Sequence, residues 1–260
     1  MRTPRMPRGA LAVALAVVVL GVMSGFAAFR GGESDQPRPA APQHSAPAQR
    51  DAIAEPTLPD DTTDVALQQG LSNIASTPLY QGKPASPQIT GAATEQADLY
   101  ATEFVRRLLS RDYAKVPRDS HLAWVQAESA PTTEPLVIGL VPESARDRFA
   151  IWSVTDTTAG PAPVPEQGEW TQLAAQRAVD SAQVERIHQP VVWTNAVASG
   201  RITDPGVTAR EVFATVTRSS PDGTQRFSVA VSLNLEGPPV RSAYGVVGVI
   251  TFTSIPVGPA

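Results

Sequence analysis

A chain of 260 residues without a cysteine forms no disulfide, carries no thiolate nucleophile and holds no cysteine-ligated metal. Its 21 basic residues stand against 25 acidic ones, for a net charge of -4. An acidic total argues against a nucleic-acid partner, which calls for a basic patch.

Residues 1–9 include Arg2, Arg5 and Arg8 and are expected to form a short cytoplasmic N-terminus. From Ala10 to Phe29 every residue except Gly21, Ser24 and Gly25 is apolar, and Arg30 closes the run. About twenty helical residues span roughly 30 Å, the thickness of a bilayer's hydrocarbon core. The run is longer than the apolar core of a cleaved signal peptide, so residues 10–29 read as a retained transmembrane helix and the lipid bilayer as its partner. The arginines in front of it place the N-terminus in the cytoplasm and the remainder of the chain outside. Without those four flanking arginines, 21 basic residues become 17 against 25 acidic, or -8 for the outer part.

Residues 30–93 are expected to be an extracytoplasmic, Pro-rich tether, partly disordered. Between Gly31 and Thr62, Pro37, Pro39, Pro42, Pro47, Pro56 and Pro59 prevent a helix, and few large apolar residues are present to form a core. Val65, Leu67, Leu71 and Ile74 can line one side of a short helix, against which Gly70 and Pro78 count. Gly82-Lys83 is not a phosphate loop: Thr77 stands where its first glycine belongs, and Pro84 where Ser or Thr is needed.

A folded domain is expected over residues 94–260. Thr94 suits an N-cap and Glu95 the first turn of a helix that runs to about Lys115. Ala97, Tyr100, Ala101, Phe104, Val105, Leu108 and Leu109 share one half of its wheel, and Glu103, Arg106 and Ser110 the other. Arg106, Arg107 and Arg111 suggest an anion site, although a solvated face with Glu103 and Arg107 paired at i,i+4 is the plainer reading. Pro117 ends this helix. Asp119 or Ser120 caps a second one through about Ser129, with Leu122, Trp124 and Val125 inward.

Leu136–Val141 is a buried strand or a helical turn, and Pro142–Phe149 another turn. Ala150–Thr155 reads as a strand, Ala159–Gly168 as a proline-bearing loop, and Trp170–Val179 is left unassigned. Val184–Ala198 reads as one bent strand or two strands broken near Pro190. Ala209–Arg218 is a strand, and Ser220-Pro221-Asp222-Gly223 a hairpin turn. Gln225–Leu235 alternates cleanly: Phe227, Val229, Val231, Leu233 and Leu235 point one way, with Arg226, Ser228, Ala230, Ser232 and Asn234 opposite. Ser242–Ile255 is apolar on both sides, as in a central strand or one covered by a helix.

Helices followed by an antiparallel meander predict an α+β domain with helices packed on one face of a curved sheet. The element order, the phrase Tyr100-Ala101-Thr102-Glu103-Phe104-Val105 and the closing strands resemble the cone-shaped nuclear-transport-factor-2-like fold. With the span and tether, the architecture resembles TcpC-like bitopic scaffold proteins of conjugal transfer and type IV secretion, and Mce-associated membrane proteins of actinobacteria. An actinobacterial source also fits the rarity of lysine, present only at Lys83 and Lys115, beside abundant Arg, Ala, Val and Pro. The resemblance covers residues 94 to 255 and implies assembly rather than chemistry. A full conjugation protein of that type would carry two such domains, and this chain has room for one.

No G-x-S-x-G or H-E-x-x-H motif is present. His44, His121 and His188 lie far apart, with His44 in the tether, and an acid–base set would need His121 and His188 to meet a carboxylate such as Asp112 or Asp119. No residue is assigned as catalytic, cofactor-binding or metal-ligating, and no cofactor is expected. The expected function is non-enzymatic assembly of a bacterial cell-envelope complex, with other envelope proteins or a second copy as partners and no nucleic acid. A small-molecule or lipid-binding module using the cone pocket is the alternative, with an acid–base enzyme in that pocket the third reading. An apolar cavity favours the pocket. A filled cone with an exposed apolar patch or strand edge favours assembly.

Overall fold

The computed structural model describes residues 61–258, with side chains from Val65 onward, so the predicted span at residues 10–29 and the Pro-rich stretch before residue 61 lie outside the described residues. Among the described residues no helix is long and apolar enough to cross a membrane. The elements are α1 (Asp61–Ser76), α2 (Ala97–Leu109), β1 (Arg111–Asp112), α3 (Arg118–Ala127), α4 (Pro135–Ile138), α5 (Phe149–Thr155), α6 (Gln167–Ala175), β2 (Val179–His188), α7 (Val191–Ala198), β3 (Val207–Ser220), β4 (Gly223–Glu236) and β5 (Gly245–Val257). Two short 3-10 turns, Gly91–Thr94 and Glu143–Arg148, join them.

The sheet is a meander in the order β1-β2-β3-β4-β5, with every neighbouring pair antiparallel. Register shifts leave Glu185 of β2 unpaired opposite β3, and Val247 and Ile250 of β5 unpaired opposite β4. Each bulge bends its strand and adds twist, so the sheet curls into a half-barrel. The β3–β4 hairpin closes with Ser220 opposite Gly223, around the Pro-Asp pair that the sequence marks as a turn.

Helix α2 fills the hollow of that curl. Tyr100, Ala101, Phe104, Val105 and Leu108 are fully buried, and they meet Val212 and Ala214 of β3 and Val229, Val231 and Leu233 of β4 in one core. These positions recur at three- and four-residue spacing, which is why one helical face reaches β2, β3 and β4. Tyr100, Phe104 and Trp124 stack in series, with centroids 6.3 and 5.4 Å apart. The cap differs from expectation. Thr94 donates its hydroxyl to Gly91 within the 3-10 turn, and Gln96 precedes the first helical residue without a side-chain cap. Helix α2 also ends at Leu109 instead of near Lys115, because Ser110 turns extended and its hydroxyl accepts the Ala182 amide of β2.

The folded unit takes in more of the chain than the expected start at Thr94. In α1, Ile74 is buried and Leu71 half-buried against a second, smaller core of Val137, Ile138, Val141, Phe149, Val207 and Val247. Residues 77–90 then run along α3. Tyr80 and Gln126 exchange two hydrogen bonds, Ala85 donates to the Ser120 carbonyl, and Ile89 donates to the Glu128 carboxylate. The stretch expected as tether up to residue 93 is therefore, from α1 onward, part of the packed domain. Ile74, on the helical side read from the sequence, and the isolated Ile89 hold it there.

Two expected strands are helices. Ala150–Thr155 lies in α5, whose Phe149, Ala150, Ile151 and Val154 are buried because the helix is wedged between the two cores. An apolar run that short has no period to read. The second half of Val184–Ala198 is α7, which starts directly after Pro190. The unassigned Trp170–Val179 contributes to α6 and the start of β2. Strand β5 is an edge strand by order, but its first half is buried on both faces. A Cβ at Gly248 would stand 2.6 Å from the Phe149 ring, and Ser153 of α5 accepts the Val249 amide, so α5 covers that half closely. Its second half has no such cover, and Thr251, Thr253 and Ile255 are exposed.

Candidate functional site

The half-barrel is not hollow at its centre, but one end keeps a cavity of about 280 Å³. It opens between the far ends of β3, β4 and β5 and the loop from Thr157 to Glu166. Phe227, Val229 and Phe252 form an apolar wall, and Arg111, Asp180 and Arg218 a charged one.

The charged wall follows from strand register. Asp180 of β2 stands opposite Arg218 of β3 and opposite Arg111 of β1. Arg218 donates to both oxygens of Asp180, at 2.7 and 2.8 Å, and Tyr113 donates to one of them at 2.6 Å. Asp180 is almost fully enclosed. This contact holds the Arg218 guanidinium above its ordinary value. Burial, against the pull of Arg111, pushes the Tyr113 phenol up to about 12. Arg111 donates to the Pro163 carbonyl at 2.7 Å, and its Nη2 approaches Asp180 only to 3.8 Å. Its Nε is buried without a partner among the described residues. Both guanidiniums lie over the Tyr113 ring, at 5.5 and 5.6 Å, and Trp170 meets that ring edge-on at 4.8 Å.

The residues singled out in the sequence are not brought together. His121 is buried between Trp124 and Trp170, with ring centroids 5.8 and 5.7 Å away. Burial first, then the guanidiniums of Arg111 and Arg118, pulls its imidazole down to about 3, so the ring is neutral. His188 lies at the end of β2, 3.2 Å from Glu211 and stacked on Phe213. Asp112 pairs with Lys115 at 2.9 Å, and Asp119 lines a separate hollow of about 290 Å³ with Arg118 and Trp170. Arg106 and Arg107 both close on Glu103, as a solvated face would, while Arg111 turns inward to the cavity. The three arginines therefore form no common anion site. Asp180, Arg218 and Tyr113 escape the sequence reading, because starting the strand at Val184 hides the Asp180–Arg218 pairing.

A second buried polar group stands apart from the cavity. Glu236, at the end of β4, is 1% exposed, and neither carboxylate oxygen has a hydrogen-bond partner among the described residues. Burial, opposed by the Thr132 hydroxyl and the Arg241 charge and aided by the Asp204 and Glu134 charges, pushes its carboxyl above the usual range. Glu134 is better served: it accepts from the Thr203 and Asp204 amides at 2.8 and 3.0 Å. Among the described residues no three His, Asp or Glu side chains are placed to hold a metal ion.

These features define the class: an α+β domain in which helices pack into a curled five-stranded antiparallel half-barrel. No protein-family model, curated protein or solved structure matches the chain.

Proposed function

We propose that the chain is a non-enzymatic, single-pass membrane protein whose outward-facing domain acts by association in a bacterial cell-envelope complex. The fold is read as a nuclear-transport-factor-2-like cone, and a conjugation or secretion apparatus is the kind of complex that the resemblance to TcpC-like and Mce-associated proteins implies. The observation that carries the reading is the contrast between inside and outside. Tyr100, Phe104, Leu108 and Trp124 fill the hollow where a large ligand would sit. Helix α7 meanwhile presents Val191, Val192 and Val197 to solvent at 71, 46 and 48% exposure, with Ala196 its one buried residue. Its Trp193 packs on the second core. Apolar surface grouped in this way marks a contact site. Confinement to a bilayer raises the effective concentration of anchored copies, so a weak contact through α7 is enough.

The test is the full-length variant carrying both Val192→Asp and Val197→Asp, expressed in its native membrane. Both side chains already face water, so the fold should persist. Crosslinks to envelope proteins or to a second copy, and the cellular role, should be lost together. Retention of both with charged residues on α7 overturns the reading.

A further inference from the structure

We propose that the cavity beside Arg111 binds a small organic monoanion, a carboxylate on a short apolar body. The enclosed charges of this end of the domain do not balance. Arg218 and Tyr113 between them satisfy Asp180, with three hydrogen bonds of 2.6 to 2.8 Å. Arg111 is left with one carbonyl and a 3.8 Å approach to the same carboxylate. Its side chain is 5% exposed, and its Nε donates to nothing among the described residues. One enclosed and one half-buried guanidinium thus share one enclosed carboxylate. A buried cation without a close counter-ion is unfavourable, and a carboxylate entering the cavity that Arg111 lines supplies one.

Glu166 and Glu169 border the same cavity, and Glu169 acts on Arg218, but both carboxylates are exposed and water screens their charge. They leave the floor positive and disfavour a polyanion at the mouth. In the same cavity Phe227, Val229 and Phe252 offer apolar lining that hydrated inorganic ions do not use. A volume of about 280 Å³ falls just below the roughly 300–1,000 Å³ of pockets for drug-sized ligands. The ligand is then the size of benzoate or hexanoate, not of a nucleotide or a two-chain lipid. The inference does not depend on assembly: crosslinks through α7 read one, and ligand binding at Arg111 reads the other.

The experiment titrates the purified full-length protein in detergent with benzoate, with its uncharged isostere benzamide, and with inorganic phosphate, by calorimetry. Benzoate should bind at least about tenfold more tightly than benzamide, and phosphate should not displace it. Arg111→Met removes the cation, and Ser254→Leu fills the cavity from half-buried Ser254 without changing a charge. Each should weaken benzoate binding by about tenfold or more, with the thermal midpoint of Ser254→Leu unchanged. If Arg111→Met fails to fold, Ser254→Leu decides alone. The proposal is overturned if millimolar benzoate does not bind, if benzamide binds equally well, if phosphate displaces benzoate, or if Ser254→Leu keeps full affinity.

Discussion

Replacing Asp180 by alanine removes the one carboxylate enclosed between Arg111 and Arg218. Asp180 is 2% exposed, and three hydrogen bonds end on it, two from Arg218 and one from Tyr113. Alanine leaves a guanidinium and a phenol unsatisfied, with a second, more deeply buried guanidinium nearby. Removing one partner of a buried pair costs about 3–5 kcal/mol. In a domain of about 200 residues each kcal/mol moves the melting temperature by about 2–4 °C, so a fall of roughly 10 °C is expected. Tryptophan fluorescence reports the transition, because Trp124 and Trp170 are buried and Trp170 touches Tyr113. Adding Arg218→Met to Asp180→Ala should recover part of the loss, since the two sites share the interaction. A fall of less than about 2 °C, or a double variant whose loss is the sum of the single ones, refutes the account of this cluster.

Acid should destabilise the protein through His121. Its folded value of about 3 lies below the ordinary 6.5, so its contribution is fully present above pH 6.5 and is lost as pH falls toward 3. The loss at pH 5 is about 2 kcal/mol, and His121→Phe should show a flatter profile between pH 7 and 5; an unchanged slope contradicts the burial argument. Glu236 has the opposite sign. Its raised folded value makes the charged form unfavourable, so its contribution weakens as pH rises above 4.5, and Glu236→Gln should be more stable than the parent at pH 7 in chemical denaturation. Val231→Asp puts an unpaired charge in the core and should abolish the cooperative transition, whereas Ser228→Asp on the exposed face should change stability by less than about 0.5 kcal/mol. Deleting residues 65–93 exposes the sites of Ile74 and Ile89, each worth about 1.5–3 kcal/mol, and should lower the melting temperature measurably; an unchanged midpoint would return that segment to the tether.

The parts of the fold that were legible are those with a repeating signal. In α2 the spacing from Ala97 to Leu109 has one solution, and β4 alternates as expected from Phe227 to Leu233, beyond which Asn234, expected on the opposite face, is buried as well. The hairpin between them and β3 carries its turn chemistry in Pro221-Asp222-Gly223. What stayed hidden depends on tertiary contact. Ala150–Thr155 is rich in strand formers, yet burial on several sides by two cores makes it a helix. Ile89 looks like a stray among turn residues until Glu128 accepts the Ile89 amide and the Tyr100 hydroxyl, both at 2.8 Å. The candidate cavity was missed for a simpler reason. Asp180, Arg218 and Arg111 are scattered in sequence, and only the β1–β2–β3 register sets them side by side. The lone histidines were the visible polar candidates; one proves to be a neutral core residue and the other a surface partner of Glu211. His121 is thus a poor probe of function, since truncating it empties space between two tryptophans.

The central claim is that the domain works by contact through α7. A photo-crosslinking amino acid placed at Val192 of the full-length protein in native membranes tests it most directly, with Ser228 on the exposed sheet face as control. The account predicts a discrete protein adduct from Val192 and none from Ser228. No adduct at Val192, or equal adducts at both positions, would contradict it.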